Sequence, residues 1–400
     1  MKIKSRETFL IVTTALCTLV IVMAGNLFLS KFLPSSITFS PGEVPSSQIK
    51  KFNDIRGILK SDYYKDLDQS KLLEGALKGM VDSIGDKYTT YLNKKEWDAR
   101  KEAFAGEYKG IGISYNFNSD GKVIVAEVIV NTPAQRAGMK VDDIIEDVDG
   151  VKVTKNSDVI KMFKGSGKDE IILKIYRPST KETFTKTITK DIIVEENATS
   201  KVIDGDIGYV DLIMFDQNIS DDFKTEIKKL QKQGVKGIII DVRNNPGGNL
   251  DQVVKICDFL LPKCTIVSVQ NKNSAKEFYY SDEKSFDLPV TVLINENSAS
   301  ASEVLAGALH DNKRGTLVGK KTYGKGLVQN NVELDDGSAI YFTTARYFTP
   351  AGICIHGIGI EPDVRVDLPK EYIGHDLRDI PMAEDTQLQA ALKDVKAKIK

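Results

Sequence analysis

The chain has 400 residues, 41% of them apolar and 28% charged. That length implies two or three domains, and that apolar content supports true cores. Lysine and arginine number 55 against 56 acidic residues, for a net charge of −1; the signs are interspersed, which excludes a basic nucleic-acid surface and an acidic chaperone-like tail. The cysteines are Cys17, Cys257, Cys264 and Cys354, with no CxxC pair and no zinc spacing. Cys17 falls in an N-terminal apolar run, and the other three cannot all pair within one chain. Buried free thiols are expected, with a Cys257–Cys264 pair left open.

In chain order, Lys2, Lys4 and Arg6 precede an uncharged run from Phe9 to Leu29, with Lys31 after it. As a helix this run is about 31 Å long, enough for a bilayer core. It is longer than the apolar core of a removable signal and has no clear small-x-small exit. Leu16 occupies the place where a lipobox ahead of Cys17 needs a small residue. We read residues 1–35 as a retained single-span anchor, its basic end inside and the bulk of the chain outside the cytoplasm. Cleavage near Ala24-Gly25 is the alternative. Pro34, Pro41, Pro45 and several serines then mark a linker.

Residues 36–105 comprise this linker and a helical region. Ile49, Phe52, Ile55, Ile58 and Leu59 recur at helical steps, as do Leu72, Leu73, Ala76, Leu77 and Met80. GMVDSIGDKYTTYL at 79–92 reads as a helical cap packed by Trp97 and Phe104.

Residues 106–190 are β-rich. KGIGISY at 109–115 offers consecutive amides around glycines, a nest able to hold a terminal carboxylate. Strands are predicted at Val123–Val130 and Ile171–Tyr176, and Val159, Ile160 and Phe163 sit on a short helix that could flank a groove. The order of glycine loop, strand, PAxxAG turn, DxxxxVDG and helix resembles a PDZ domain. In such a domain an extended peptide adds beside Ile111–Ser114. Its carboxylate sits near Gly110, Ile111, Gly112 and Ile113, and its last side chain enters an apolar pocket. Arg177 is a further cation that could assist, or a solvated strand end.

Residues 191–365 alternate strands and helices, which implies an α/β core. IGYVDLIMF at 207–215 is a predicted strand. Ser220 to Lys232 is a helix capped by Ser220 and ended by Gly234. GIIIDVRNNPGG at 237–248 is a buried strand running into a glycine turn, and Leu250–Leu261 is the next helix. Val290–Ile294 is another buried strand, followed by ENSASASE at 296–303 and a helical pattern through Val304, Leu305 and Leu309. A charged segment, helical at its end, closes the chain at 366–400 and is read as an association segment.

A serine cluster where a strand turns into a helix suits a nucleophile, because free N–H groups and the helix dipole favour developing negative charge there. The histidines are His310, His356 and His375. His310 would lie about 15 Å along the helix from Ser300, and the GxSxG elbow is missing. A lysine held neutral by burial is the remaining base. Lowering its pKa by about 3 units costs roughly 4 kcal/mol, so its site must be dry.

SASASE, a YGKG lysine 25 residues after Ser300 and a glutamine four residues further resemble the carboxyl-terminal processing (tail-specific) proteases. The likeness runs from about residue 50 to 365 and includes TPxG and GIxPD elements within 341–364. It implies a crotonase-like core, Ser300 as nucleophile, Lys325 as general base and Gln329 as the group that orients it. Asp311 matches a structural motif aspartate. One oxyanion amide is implied at Gly247 or Gly248 and the other at Ala301, each worth about 3 kcal/mol. Where that family commonly has proline, this chain has Lys87. The family also uses its N-terminal region for subunit association, so a homodimer is expected.

The function expected is that of a serine endopeptidase anchored in the cell membrane by one span, its catalytic domain extracytoplasmic, acting on protein substrates with apolar C-terminal tails. No metal or other cofactor is implied, since HExxH and GxxxxGK[ST] are absent. One alternative is a penicillin-binding-type acyl enzyme, from SxxK at Ser47–Lys50 and Ser281–Lys284, but its SDN and KTG partners are missing. A PDZ scaffold on an inactive protease core is the other. The intact Ser300, Lys325 and Gln329 set stands against it.

Overall fold

A computed structural model describes residues 45–118, 120–154, 159–164, 168–272 and 274–399. The predicted anchor at Phe9–Leu29 lies outside the described residues. Among the described residues no helix is long and apolar enough to cross a membrane. The chain divides after Ala76. In the first part, helix Ser46–Asp62 follows the predicted periodicity but buries no residue. Ile49, Phe52, Ile55 and Ile58 are all exposed.

In the second part, the α/β core is a six-stranded sheet. Its order is Ala198–Ile203, Ile207–Leu212, Gly237–Asp241, Val290–Ile294, Gly315–Gly319 and Val364–Arg365. The first pair is antiparallel and every later pair parallel. Gly237–Asp241 and Val290–Ile294 are buried at every position, because both faces of the sheet are covered; a two-sided strand reads as a continuous apolar run. Ile238, Ile240, Val292 and Ile294 pack with helices Ile219–Lys232, Leu250–Leu260 and Ala301–Asp311. Ile239, Leu293 and Val318 pack on the other face against Leu388, Ala391, Leu392 and Val395. Those four belong to helix Thr386–Ala397, so the closing segment, read as an association element, has its apolar face on the core of its own chain.

A second, antiparallel layer runs Thr90–Leu92, Ala339–Phe348, Thr265–Asn271, Glu277–Tyr280, with Leu327–Glu333 also paired to Ala339–Phe348. Here the segment after the GDKYT turn becomes a strand of this layer.

The PDZ-like unit is an antiparallel sheet with its own core, which includes Val123, Val125, Ile145, Leu173 and Ile175. Its observed strands Val123–Val128 and Glu170–Arg177 lie close to the predicted ones. The strands entering and leaving it, Glu107–Gly110 and Asp191–Val194, pair with each other. One prediction in the core is corrected. Ser220 is buried inside helix Ile219–Lys232, and Asn218 precedes that helix. Its first amides are met by Asp216, which accepts from Asn218 and Ile219. Cys257, Cys264 and Cys354 are free thiols.

Candidate active site

The strand Val290–Ile294 ends at Asn295, and the chain then turns into helix Ala301–Asp311. The three serines of the turn separate by their surroundings. Ser298 is buried and donates to Val242 O at 2.7 Å. Ser302 is buried and donates to Asn245 O at 2.9 Å. Ser300 is half-buried and sits at φ +56°, ψ −114°, where a residue with a Cβ carries about 1–3 kcal/mol of strain. The surroundings hold it there. Tyr347 Oη donates to Ser300 O at 3.0 Å, and Ala299 N donates to Asn245 O at 3.1 Å.

The residue that binds the site together is Glu303, which is fully buried. Its Oε2 accepts from Ser300 N at 2.9 Å and from Lys325 N at 2.8 Å. Its Oε1 accepts from Gly324 N at 2.7 Å and Thr322 Oγ1 at 2.6 Å. One carboxylate therefore fixes the backbones of two residues far apart in the chain. The sequence reading gave Glu303 no role; a glutamate three residues past Ser300, the residue that precedes the helix, was the available signal.

Lys325 is half-buried and forms no ion pair among the described residues. Its Nζ lies 5.0 Å from the centroid of the Tyr88 ring. Burial pushes its pKa below the ordinary lysine value. The Arg100 charge acts in the same direction, while Tyr323, Glu303 and Asp86 oppose it. Among the described residues no hydrogen bond joins Lys325 Nζ to Ser300 Oγ; the two residues meet through Glu303. Gln329 does not reach Lys325 either. It lies in strand Leu327–Glu333, where the register sets it opposite Thr343, with its Nε2 3.5 Å from Thr343 Oγ1, the long limit of a hydrogen bond. Thr343 Oγ1 in turn donates to Asp86. Asp311 accepts from Ala351 N at 2.9 Å, a loop-holding contact.

The NPGG turn packs directly on the serine turn. A Cβ built on Gly247 would lie 2.7 Å from Ser300 Cβ and 2.8 Å from Ala301 N, and its φ is +99°, so only glycine is accommodated. Gly247 and Gly248 differ in their amides. Gly247 N donates to Asn245 Oδ1 at 2.9 Å. Gly248 N and Ala301 N donate to no acceptor among the described residues. Asn245, which the sequence reading passed over, is fully buried and also ties Nδ2 to Leu212 O.

In the PDZ-like unit, Gly110, Ile111, Gly112 and Ile113 line one apolar groove with Tyr108 and Phe163. The two glycines face inward. A Cβ on Gly110 would meet the Tyr108 ring at 2.5 Å, and one on Gly112 would meet Thr132 at 2.3 Å. Close packing within the unit accounts for both. Arg177 is no free cation: it holds buried Asp143 through two 2.7 Å contacts. Of the SxxK serines, Ser281 donates to Pro262 O at 2.6 Å and Ser47 lies on an exposed helix.

Three family models match the chain: Peptidase family S41 at residues 206–366, the activating protease CtpB N-terminal domain at 35–96, and a PDZ domain at 124–177. A probable CtpA-like serine protease of Staphylococcus aureus (strain COL) is 34% identical over 367 residues, covering 90% of this chain and 72% of that protein. The carboxy-terminal processing protease CtpA of Bacillus subtilis is 34% identical over 327 residues, covering 81% and 70%. A putative S41 protease from Bacteroides fragilis shares the fold at TM-score 0.53 and 18% identity, over 86% of this chain and 97% of that one. The chain belongs to peptidase family S41, as a serine-type C-terminal processing peptidase that carries a PDZ domain.

Proposed function

We propose that the protein is a membrane-anchored serine endopeptidase that reads the C-terminal tail of a protein substrate through its PDZ-like unit and cuts with a Ser300–Lys325 dyad. The observation that carries the reading is the buried Glu303 carboxylate, whose Oε2 accepts from the N–H groups of both residues. In the proposed reaction, neutral Lys325 takes the Ser300 Oγ proton as the oxygen attacks the scissile carbonyl. The oxyanion is met by the free amides of Gly248 and Ala301 rather than by Gly247. Lys325 then gives the proton to the leaving amine, and a water repeats the sequence on the acyl-enzyme. Gln329 orients Lys325 after leaving Thr343; catalytic contacts are often long before substrate binds.

Tail reading is supported by the apolar groove at 110–113, where an apolar last side chain gains roughly 1.5–3 kcal/mol by leaving water. The two relatives above are named as processing or CtpA-like proteases, which agrees with it. Residues 106–190 and 191–365 act as the recognition and catalytic units, with the paired ribbon between them. Phe9–Leu29 anchors the protein and leaves the catalytic domain extracytoplasmic. The exposed Ile49, Phe52, Ile55 and Ile58 stripe supports a homodimer.

The dyad is tested with Ser300→Ala, Lys325→Ala and the double variant on a protein substrate. Each single change lowers kcat by about a thousandfold or more, and the double variant is no worse, because the two act as a unit. A wild-type rate in Lys325→Ala contradicts the dyad.

A further inference from the structure

Arg100 stands on helix Lys94–Ala105, which is fixed to the antiparallel layer beside the dyad. Trp97 on the same helix donates Nε1 to Glu333 Oε2 at 2.7 Å, and Lys101 reaches the same oxygen. The Arg100 guanidinium is 4.0 Å from the Tyr341 ring centroid and 5.2 Å from that of Phe104, so two aromatic faces hold its plane. Tyr341 and Thr343 are two positions apart on one strand and share a face. Thr343 is the residue that meets both Gln329 and Asp86.

The arginine is held, yet among the described residues its guanidinium meets no acceptor. Its Nε is buried with no acceptor, and it forms no ion pair among the described residues. Arg177 and Arg243 each hold a buried carboxylate. The carboxylates of the dyad region and of the Trp97 contact are already committed. Asp86 accepts from Tyr88 N, Thr89 and Thr343. Glu303 accepts from four donors, and Glu333 is held by Trp97 and Lys101. A second cation, the exposed Lys87, lies 4.9 Å from the Tyr88 ring centroid that Lys325 approaches at 5.0 Å. A planar guanidinium with free N–H groups is shaped for a carboxylate.

We propose that Arg100, with Lys87 outside it, forms a carboxylate subsite beside the dyad that takes an acidic side chain or the free terminal carboxylate of the substrate. This rests on the protease reading above. The subsite selects substrates by charge close to the scissile bond, separately from the apolar groove of the PDZ-like unit.

The test uses the full chain and internally quenched peptides in matched pairs. One pair set carries Glu or Gln at each of three positions on either side of the scissile bond; the other carries a free or an amidated terminus. Wild type is expected to prefer the charged member about tenfold in kcat/KM, mainly through KM, in one of the two sets. A preference in the Glu/Gln set assigns the ligand to a side chain, and one in the terminus set to the tail. Arg100→Met should bring that ratio to within twofold, whereas Arg100→Lys should keep part of it. Each ratio is internal to one variant, so it survives a change in overall rate. A terminus effect that arises in the PDZ-like groove would persist in Arg100→Met. A wild-type ratio within twofold in both sets, or a preference that persists unchanged in Arg100→Met, overturns the subsite. If wild type cuts none of the peptides while the full protein substrate is still cut, the subsite falls and the dyad stands.

Discussion

Glu303→Gln is the most informative single change in the site. The wild-type carboxylate accepts four hydrogen bonds, from Ser300 N, Lys325 N, Gly324 N and Thr322 Oγ1, all between 2.6 and 2.9 Å. An amide replaces one oxygen by an NH2 group. Turned one way, the NH2 faces the Ser300 and Lys325 amides; turned the other, it faces the Gly324 amide and the Thr322 hydroxyl, which can rotate to accept. A hydrogen bond to a charged group is worth about 1.5–3 kcal/mol, so the loss of one or two costs roughly 1.5–6 kcal/mol, divided between fold stability and the geometry of the proposed reacting pair. One of the two orientations releases the Ser300 and Lys325 amides together. A fall in kcat of about a hundredfold corresponds to roughly 2.7 kcal/mol, within that range. The charge change gives a second signature. The Glu303 carboxylate favours the protonated form of Lys325, so its removal lowers the lysine pKa. The acid limb of the kcat/KM profile should move to lower pH even as the plateau drops. Steady-state rates on a single-site fluorogenic protein across pH, with a thermal melt of the same sample, read both effects. A folded variant with kcat within twofold of wild type would refute the bridging role. A lower plateau with an unmoved limb would show that the carboxylate acts only by packing.

Two further outcomes are expected. Fluorogenic proteins that end in Ala, Val or Leu should be cut much faster than the same chain ending in Asp or Lys, because a charged end side chain loses the apolar gain and must be desolvated; equal rates would remove the groove at 110–113 as tail reader. Arg243→Met should destabilise the catalytic domain by about 3–5 kcal/mol, since it leaves buried Asp241 and Asp385 without their cation, and a urea midpoint unchanged from wild type would contradict this.

The sequence carried the core strands because burial on both faces writes continuous apolar runs at Gly237–Asp241 and Val290–Ile294. It singles out Ser300 and Lys325 because strand-to-helix position and joint spacing are local or motif-level signals, and the fold brings the backbone N–H groups of both onto one carboxylate. What it could not carry was long-range partnership. Glu303 closes a run of small residues with nothing in its letters to mark a role, and its contacts with Thr322, Gly324 and Lys325 arise only when the second loop folds over the first. Gln329, four residues past Lys325, invites a direct contact; the strand begins only at Leu327 and its register sets Gln329 opposite Thr343 instead. Gly247 and Gly248 are equivalent as letters and separate only when Asn245 takes one amide. The apolar spacing of Thr386–Ala397 marks a helix with one greasy face, but nothing in that spacing says that Ile239 and Leu293 cover it.

The most direct test of the dyad is covalent. Full-length protein is treated with a serine-directed phosphonate fluoride across a pH series, and the modified peptide is identified by mass spectrometry. The label should fall on Ser300, and its rate should rise with pH through the lowered pKa of Lys325 and collapse in Lys325→Ala. A label on Ser298 or Ser302, or labelling of Ser300 at an unchanged rate without Lys325, would contradict a serine nucleophile activated by that lysine.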